Sequence, residues 1–337
     1  MKILLIIFSF VYLFSACGDK GRDELILITG ATMGTTYSVK YLNNISESIE
    51  NVKVNIEETL QTVNAQMSTY IPDSELSRFN SSSDTSWFSI SNDLAFVLNS
   101  SLEICELTNG ALDITVGPLV NIWGFGPENK PTAIPTEAEI NSALETVSWK
   151  NIEVRLNPPA VKKKMSKIYC DLSSTAKGFG VDKVSGYLAS IGVKNYLVEI
   201  GGELRAFGTK SKGEEWRIGI SKPNNNSSIQ EVIKLNNTSM ATSGDYWNYF
   251  EEDGIRYSHT INPKTGRPIS HKLASITILA ETCLLADGLA TAIDVMGEIK
   301  GLEFATENSL CAYFITREND QFVVNYTESF NKLILEN

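Results

Sequence analysis

The residues of this chain best suited to chemistry fall into a few short segments. Asp171-Leu172-Ser173-Ser174-Thr175-Ala176-Lys177-Gly178-Phe179-Gly180-Val181-Asp182 reads as an acidic strand end, a turn of small residues and a glycine-rich helix start. Free N–H groups at such a start favour anions, and glycines let the backbone come close to a phosphate. The bland alternative is a strand–helix turn carrying a surface lysine. In Ala286-Asp287-Gly288-Leu289-Ala290-Thr291-Ala292, Asp287 and Thr291 are four residues apart, so on a helix both oxygens leave one face, a turn apart. A carboxylate with a hydroxyl suits Mg²⁺, which takes few protein ligands and completes its shell with water or substrate phosphate. The structural alternative is an aspartate interacting with the dipole of a helix N-terminus, with Thr291 packed.

His259, one of two histidines, lies in Tyr257-Ser258-His259-Thr260-Ile261-Asn262-Pro263-Lys264-Thr265-Gly266-Arg267-Pro268, where Asn-Pro and Thr-Gly mark a tight turn leaving a strand. Histidine is the side chain best matched to proton transfer near neutral pH, although one hydrogen-bonded into a strand end is also common. Thr32-Met33-Gly34-Thr35-Thr36-Tyr37 and Met67-Ser68-Thr69-Tyr70 place apolar or aromatic surface beside small residues, fit to clamp a flat ring or simply to fill a core. The stretch from Gly110 through Ala111, Leu112 and Asp113 to Trp123 and Gly126 is punctuated by Gly and Pro and reads as an ordered loop rather than a helix. Asp113 there is a natural acceptor for a ligand N–H or hydroxyl.

The elements that must carry these segments are legible in outline. Two strands are expected between Glu24 and Leu42, with a turn near Gly30 to Gly34. Ile49, Val52, Ile56, Leu60 and Val63 step by three and four, which marks one helix face. Further helices are expected at 92–107, stopped by Asn109-Gly110, from the Thr136 capping box, at 174–191, and at 282–296, ending at Gly297. Strands are expected at 196–200, 204–208, 216–221, 229–235, 256–261, 273–280, 310–316 and 322–326, with a polar hairpin loop at 224–228. Helices and strands mix without a regular βαβ beat, so the fold class is α+β, and the absence of GxGxxG argues against a Rossmann flavin site.

Composition bounds what this unit meets. Lys2, an apolar run over 3–14 and Phe14-Ser15-Ala16-Cys17 form an export signal too short to span a bilayer. Small residues directly before Cys17 predict a lipoprotein signal peptide at 1–16, a lipidated tether at 17–23 and one catalytic unit over 24–337. The chain holds 29 basic and 40 acidic residues, and losing Lys2 with the signal leaves 28 against 40, a net charge of −12. That balance excludes nucleic acid and disfavours anionic lipid surfaces as partners. Any bound polyphosphate then needs local help from a metal or helix N-termini. Cys105, Cys170, Cys283 and Cys311 form no CxxC pair and sit in apolar contexts, which predicts buried free thiols rather than a zinc site.

Taken in order, these segments closely resemble the FAD:protein FMN transferase (ApbE) family. The matching pieces are TMGTTY at 32–37, MSTYIPDSELSRFN at 67–80, ALDITVGPLVNIWGFGP at 111–127, DLSSTAKGFGVD at 171–182, GGELRAFG at 201–208, SHTINPKTGRPI at 258–269 and ADGLATA at 286–292. The resemblance runs from about Leu25 to near the C-terminus. It implies one compact α+β unit of two lobes in which Met33, Tyr70, Ala111, Leu112, Asp113, Asp171, Lys177 and the backbone near Ile261 contact FAD. It also implies Mg²⁺ on the Ser174 carbonyl, Asp287 and Thr291. Ser174 departs from the alanine or threonine expected there, which a carbonyl ligand tolerates. Tyr70 falls where family members vary, which bears on whether FAD is held as donor or hydrolysed.

The implied reaction moves FMN from FAD to a Ser/Thr hydroxyl of an acceptor protein and releases AMP, with His259 as candidate proton acceptor and Asp287 able to assist. Expected partners are FAD, subunits of membrane electron-transfer complexes carrying a D-x-x-S/T-G-A-S/T-type sequence, and a membrane reached through the lipid anchor, facing the periplasm. This chain has no such acceptor sequence, so self-flavinylation is not expected. Two alternatives share the segments: a metal-dependent FAD pyrophosphatase giving FMN and AMP, and a non-catalytic flavin-binding lipoprotein.

Overall fold

The computed structural model describes residues 24–127, 134–223, 228–244, 249–252, 255–319 and 321–334, without side-chain detail at 249–252 and 255–256. Cys17 and most of the 224–228 loop lie outside the described residues. The chain opens with the hairpin β1 (Leu25–Thr32) and β2 (Thr35–Leu42), whose Met33-Gly34 turn has both residues at positive φ, 51° and 72°. That geometry suits the twist of a two-residue hairpin and is unusual for methionine. Helices α1 (Ile49–Met67) and α2 (Glu75–Ser81) follow, then β3 (Phe88–Ser89) and α3 (Asn92–Leu107). Next come α4 (Gly117–Ile122), α5 (Glu137–Leu144), β4 (Ile152–Leu156) and β5 (Pro159–Lys163). The segment continues with α6 (Ala176–Ser190), β6 (Tyr196–Ile200), β7 (Glu203–Phe207), β8 (Trp216–Ser221) and β9 (Ile229–Leu235). The last part holds β10 (Thr238–Gly244), β11 (Tyr249–Glu252), β12 (Ile255–Ser258), β13 (Ile261–Asn262), β14 (Arg267–Pro268) and β15 (Leu273–Ala280). It closes with α7 (Cys283–Glu307), β16 (Cys311–Glu318), β17 (Gln321–Tyr326) and α8 (Glu328–Asn331).

An eight-stranded antiparallel sheet in the order β1-β2-β6-β7-β10-β15-β16-β17 organises the molecule. Against one face lie α1 and α6, burying Val52, Ile56 and Leu60 with Val181, Val184 and Leu188, while α7 and α3 extend that layer. The β8–β9 pair and α8 cover part of the other face through Trp216, Ile218, Ile233 and Phe330. Burial on both faces explains why β15 is apolar nearly throughout rather than alternating. The mixed, antiparallel α+β architecture is the one expected. Among the described residues no helix is long and apolar enough to cross a membrane.

Several elements differ from the sequence reading. The 110–126 stretch contains the short helix α4, because Pro118 sits in its first turn, where a missing N–H costs nothing. Helical structure resumes after Gly297, which supplies a kink at φ 79° instead of an end. The 256–261 strand is broken at His259-Thr260 into β12 and β13. Ile49, counted with the apolar face of α1, is exposed in its first turn. Cys105, Cys170 and Cys283 are buried free thiols, and Cys311 is half-buried.

Candidate functional site

The site is built where α6 and α7 begin. The turn before α6 is fixed by Asp171, whose Oδ1 accepts the Ser173 N–H at 2.8 Å, and whose own N–H donates to Ile114 O at 2.7 Å. Gly178 is required next. A Cβ there would lie 2.4 Å from Cys283 O and 2.8 Å from Leu284 Cα, so only glycine lets the two helix starts touch. Contact brings the Gly178 N–H to Asp287 Oδ2 at 3.0 Å.

Lys177, one residue earlier, reaches two carboxylates: Glu203 Oε1 at 3.4 Å and Asp287 Oδ1 at 3.8 Å. Burial pushes the Glu203 carboxyl up to about 8, against the pull of Lys177. Burial likewise raises Asp287, again opposed by Lys177 and by the Gly178 N–H. Desolvation lowers Lys177, but the two carboxylates outweigh it and hold its ammonium above the usual lysine range. The two buried acids thus share one cation and hold their protons more tightly than free carboxyls do.

Helix α7 presents Asp287 and Thr291 one turn apart, as the i,i+4 spacing predicts, and Asp294 a further turn along. Asp294 is fully buried and accepts Ser243 Oγ at 2.9 Å and Thr260 Oγ1 at 3.2 Å. Through Thr260 the same helix therefore anchors the loop that carries His259. Among the described residues no group of three or more His, Cys, Asp and Glu side chains is placed to hold a metal. A cation bound beside Asp287 would have to use hydroxyl and carbonyl oxygens as well.

Of the remaining predicted residues, Met33 and Leu112 touch α6 and α7 themselves, and the others stand in separate contacts. Met33 packs over α6, its Cε 3.0 Å from where a Cβ on Gly180 would stand. Tyr70 is exposed, and its hydroxyl donates to Phe125 O at 3.1 Å. The Phe125 ring meets the His259 ring edge-on at 6.4 Å. Tyr70, Phe125 and His259 thus form one chain of contacts. Partial desolvation, then the charge of Asp171, raises the Tyr70 hydroxyl pKa.

Ala111 and Leu112 are buried, and Leu112 Cδ2 lies 3.6 Å from the Cβ position of Gly288, so this segment packs under α7. Asp113 is engaged within the chain: Oδ1 accepts the Thr115 N–H and hydroxyl at 2.8 and 2.6 Å, and Oδ2 accepts the Trp149 N–H at 3.0 Å. Its capacity for a ligand is largely used. Ile261 is buried with Leu119, Trp123 and Ile140, and Trp123 Nε1 donates to Gly266 O at 2.8 Å to fix the β13–β14 turn. Ser174 is half-buried in the turn before α6.

Glu203 and Asp294 were not foreseen. Glu203 stands in the glycine-flanked GGELRAFG segment, and that unusual start to a strand was the available signal. Asp294 falls i+7 from Asp287 in the largely apolar first half of α7, a charge without an exposed face. Asp182 was noted as the end of a motif. It proves to cap α7, with Oδ1 and Oδ2 accepting the Cys283 and Leu284 N–H groups, both at 2.9 Å.

Known proteins resemble this chain in sequence and fold along nearly its whole length. An ApbE family model matches residues 33–314. The FAD:protein FMN transferase of Haemophilus influenzae is 45% identical over 342 residues, covering 98% of each chain. That of Vibrio cholerae is 43% identical over 337 residues, covering 99% of each. Among solved structures, flavin transferase ApbE from Vibrio cholerae superposes with a TM-score of 0.85 at 43% identity, over 92% of this chain and 99% of that one. The apo form of Pseudomonas stutzeri flavinyl transferase ApbE does so with a TM-score of 0.86 at 37% identity, over 94% and 98%. The chain belongs to the ApbE family.

Proposed function

We propose that this protein transfers FMN from FAD to a serine or threonine hydroxyl of an acceptor protein, releasing AMP. The observation that carries the reading is the junction of α6 and α7. There a glycine-rich helix start whose Thr175 makes no side-chain capping bond, a lysine and a buried carboxylate on a neighbouring helix meet. A pyrophosphate fits such a start, since the Lys177 ammonium and backbone N–H oppose its charge, the Ala176 and Gly178 N–H groups being held by Leu172 O and Asp287. The near-complete alignment with relatives named FAD:protein FMN transferase supports FAD as that pyrophosphate.

In this reading the acceptor hydroxyl attacks the FMN-side phosphorus in line. The new O–P bond forms as the P–O bond to AMP breaks, and the hydroxyl proton passes to His259, with Asp287 able to assist. Positioning and charge neutralisation supply most of the acceleration. Met33 and the Tyr70–Phe125 pair would hold the isoalloxazine, Ala111, Leu112 and Asp113 would support it from the core, and Asp171, Lys177 and the backbone at Ile261 would orient the rest. Asp287, Thr291 and the Ser174 carbonyl are hard oxygen donors suited to Mg²⁺. Bound there, Mg²⁺ would neutralise phosphate charge on the leaving side.

The acceptors would be membrane electron-transfer subunits with a D-x-x-S/T-G-A-S/T-type site. The 1–17 sequence supports export and acylation of Cys17, anchoring the protein to an envelope membrane and facing the periplasm; palmitate labelling lost in Cys17→Ala tests this. The test of function is mass spectrometry of an acceptor co-expressed with the protein. FMN addition that vanishes in Asp287→Ala, with FAD still bound, is expected. Free FMN formed at one rate with or without acceptor would point to a pyrophosphatase instead. Labelling that survives in Asp287→Ala would remove the site from the reaction.

A further inference from the structure

Lys163, the last residue of β5, is completely buried, a costly place for an ammonium. Among the described residues its partners are backbone carbonyls rather than a carboxylate. Nζ donates to Phe79 O at 3.1 Å, Asn80 O at 3.1 Å and Ile168 O at 3.4 Å. Three N–H groups meet three acceptors, so the charge is satisfied by geometry alone. Two of those carbonyls belong to the last turn of α2, the negative end of that helix. The third belongs to the chain approaching Asp171. Lys163 therefore joins two stretches that are far apart in sequence.

The same two stretches are joined again by Asn80. Its Nδ2 donates to Cys170 O, and its Oδ1 accepts the Cys170 N–H, both at 2.8 Å, imitating a strand partner. One residue on is Asp171, which opens the turn into α6. At the other end of α2, the Ser74 and Ser77 hydroxyls donate to Ser68 O at 2.6 and 3.2 Å, fixing the corner that presents Tyr70. The start of α2 thus fixes the corner from which Tyr70 projects, while Lys163 and Asn80 tie its end to the chain before Asp171.

We propose that Lys163 is a positioning residue for flavin binding, holding the Tyr70-bearing and Asp171-bearing segments at the separation FAD requires, through carbonyls and without touching the ligand. The proposal rests on the FAD site described above. Because Asp287, Lys177 and Glu203 stand on α7, α6 and β7, outside the clamp, a fault in it should weaken FAD binding more than turnover.

The experiment compares wild type with Lys163→Met, Asn80→Ala and Lys162→Met. Lys162 is the neighbouring β5 residue whose side chain points outward to Glu153 at 3.9 Å. FAD affinity is read from quenching of flavin fluorescence, and KM and kcat from labelling of an acceptor protein. Lys163→Met should raise Kd and KM for FAD tenfold or more and change kcat less than threefold. Asn80→Ala should do the same in smaller degree, and Lys162→Met should stay within twofold throughout. A folded Lys163→Met protein with Kd and KM within twofold of wild type overturns the proposal, as does a fall in kcat at unchanged KM. If Lys163→Met does not fold, Asn80→Ala decides by the same criteria. If wild type binds FAD but labels no acceptor, the transfer reading fails while the comparison of Kd values still tests the clamp.

Discussion

Helices α6 and α7 begin side by side, yet their first turns are finished in opposite ways. At α7, Thr282 accepts the Leu285 N–H at 3.3 Å, and Asp182 takes the two N–H groups before it. At α6, Thr175 makes no capping bond; its hydroxyl meets Ser101 at 3.0 Å instead. The helices exchange carboxylates: α6 lends Asp182 to the start of α7, and α7 lends Asp287 to the start of α6. Asp182 spends both oxygens on amides. Asp287 gives one to Gly178 and turns the other toward Lys177. One start is closed throughout; at the other the Ala176 and Gly178 N–H groups go to Leu172 O and Asp287, leaving the Lys177 N–H beside an incompletely neutralised acid. The α7 start serves stability, and in the function proposed above the α6 start serves the phosphates.

Gly178→Ala should break this comparison most severely. The added methyl would press on the α7 backbone, which cannot rotate away as a side chain can. Separating the helices should cost about 3 kcal/mol of stability. A shift of roughly 1 Å at Asp287 should slow transfer on the order of 100-fold. Urea melts and acceptor labelling check both; an unchanged melt would mean that the two starts do not rely on contact.

Lys177→Met should come next. It leaves Glu203 and Asp287 facing each other with no shared cation. Breaking a buried pair costs about 3–5 kcal/mol, but the lysine side chain is 28% exposed, so about 2 kcal/mol is expected. The metal-free protein shows the effect most directly, by urea melt. FAD affinity should fall with it.

The shared acid pair also predicts a pH dependence. Glu203 is raised from 4.5 to about 8 in the folded protein, so between those values the native state binds more protons than the unfolded state. Its contribution is fully present below pH 4.5 and is lost as pH rises through about 8. Metal-free wild type should therefore lose stability across that window. Glu203→Gln should flatten the slope, and an identical slope in both proteins would place the titration elsewhere.

How far the sequence could be read follows the same division. The i,i+4 pair of Asp287 and Thr291 is legible because both residues lie on one helix, where spacing is geometry. Helix α1 is legible through its apolar period, α3 through its Asn109-Gly110 stop, and α5 through its capping box. Asp294 and Glu203 are not, because their partners are set by contacts between elements distant in sequence. Strand β10 escaped notice since Thr-Ser-Met-Ala-Thr-Ser-Gly carries little apolar pattern; it is held by β7 and β15 on either side. Strands β4 and β5 are short and rich in charge, and α2 spans only seven residues, too few to show a period. The two-residue turn was expected at the right place, but nothing local requires Met33 at positive φ.

The smallest effect belongs to the closed helix start. Thr282→Ala removes one side-chain acceptor from α7 and leaves the Leu285 N–H without it. The loss of such a cap costs about 1 kcal/mol. Asp182 still answers the Cys283 and Leu284 amides, so the helix should begin at the same residue and Asp287 should keep its place. FAD affinity and labelling rate should then match wild type while the urea midpoint falls. Asp182→Ala, which orphans two amides, should cost about twice as much by the same measure. A Thr282→Ala protein that loses labelling without losing stability would show that the closed start also shapes the chemistry, and that the two helix ends divide their tasks less cleanly than their hydrogen bonds do.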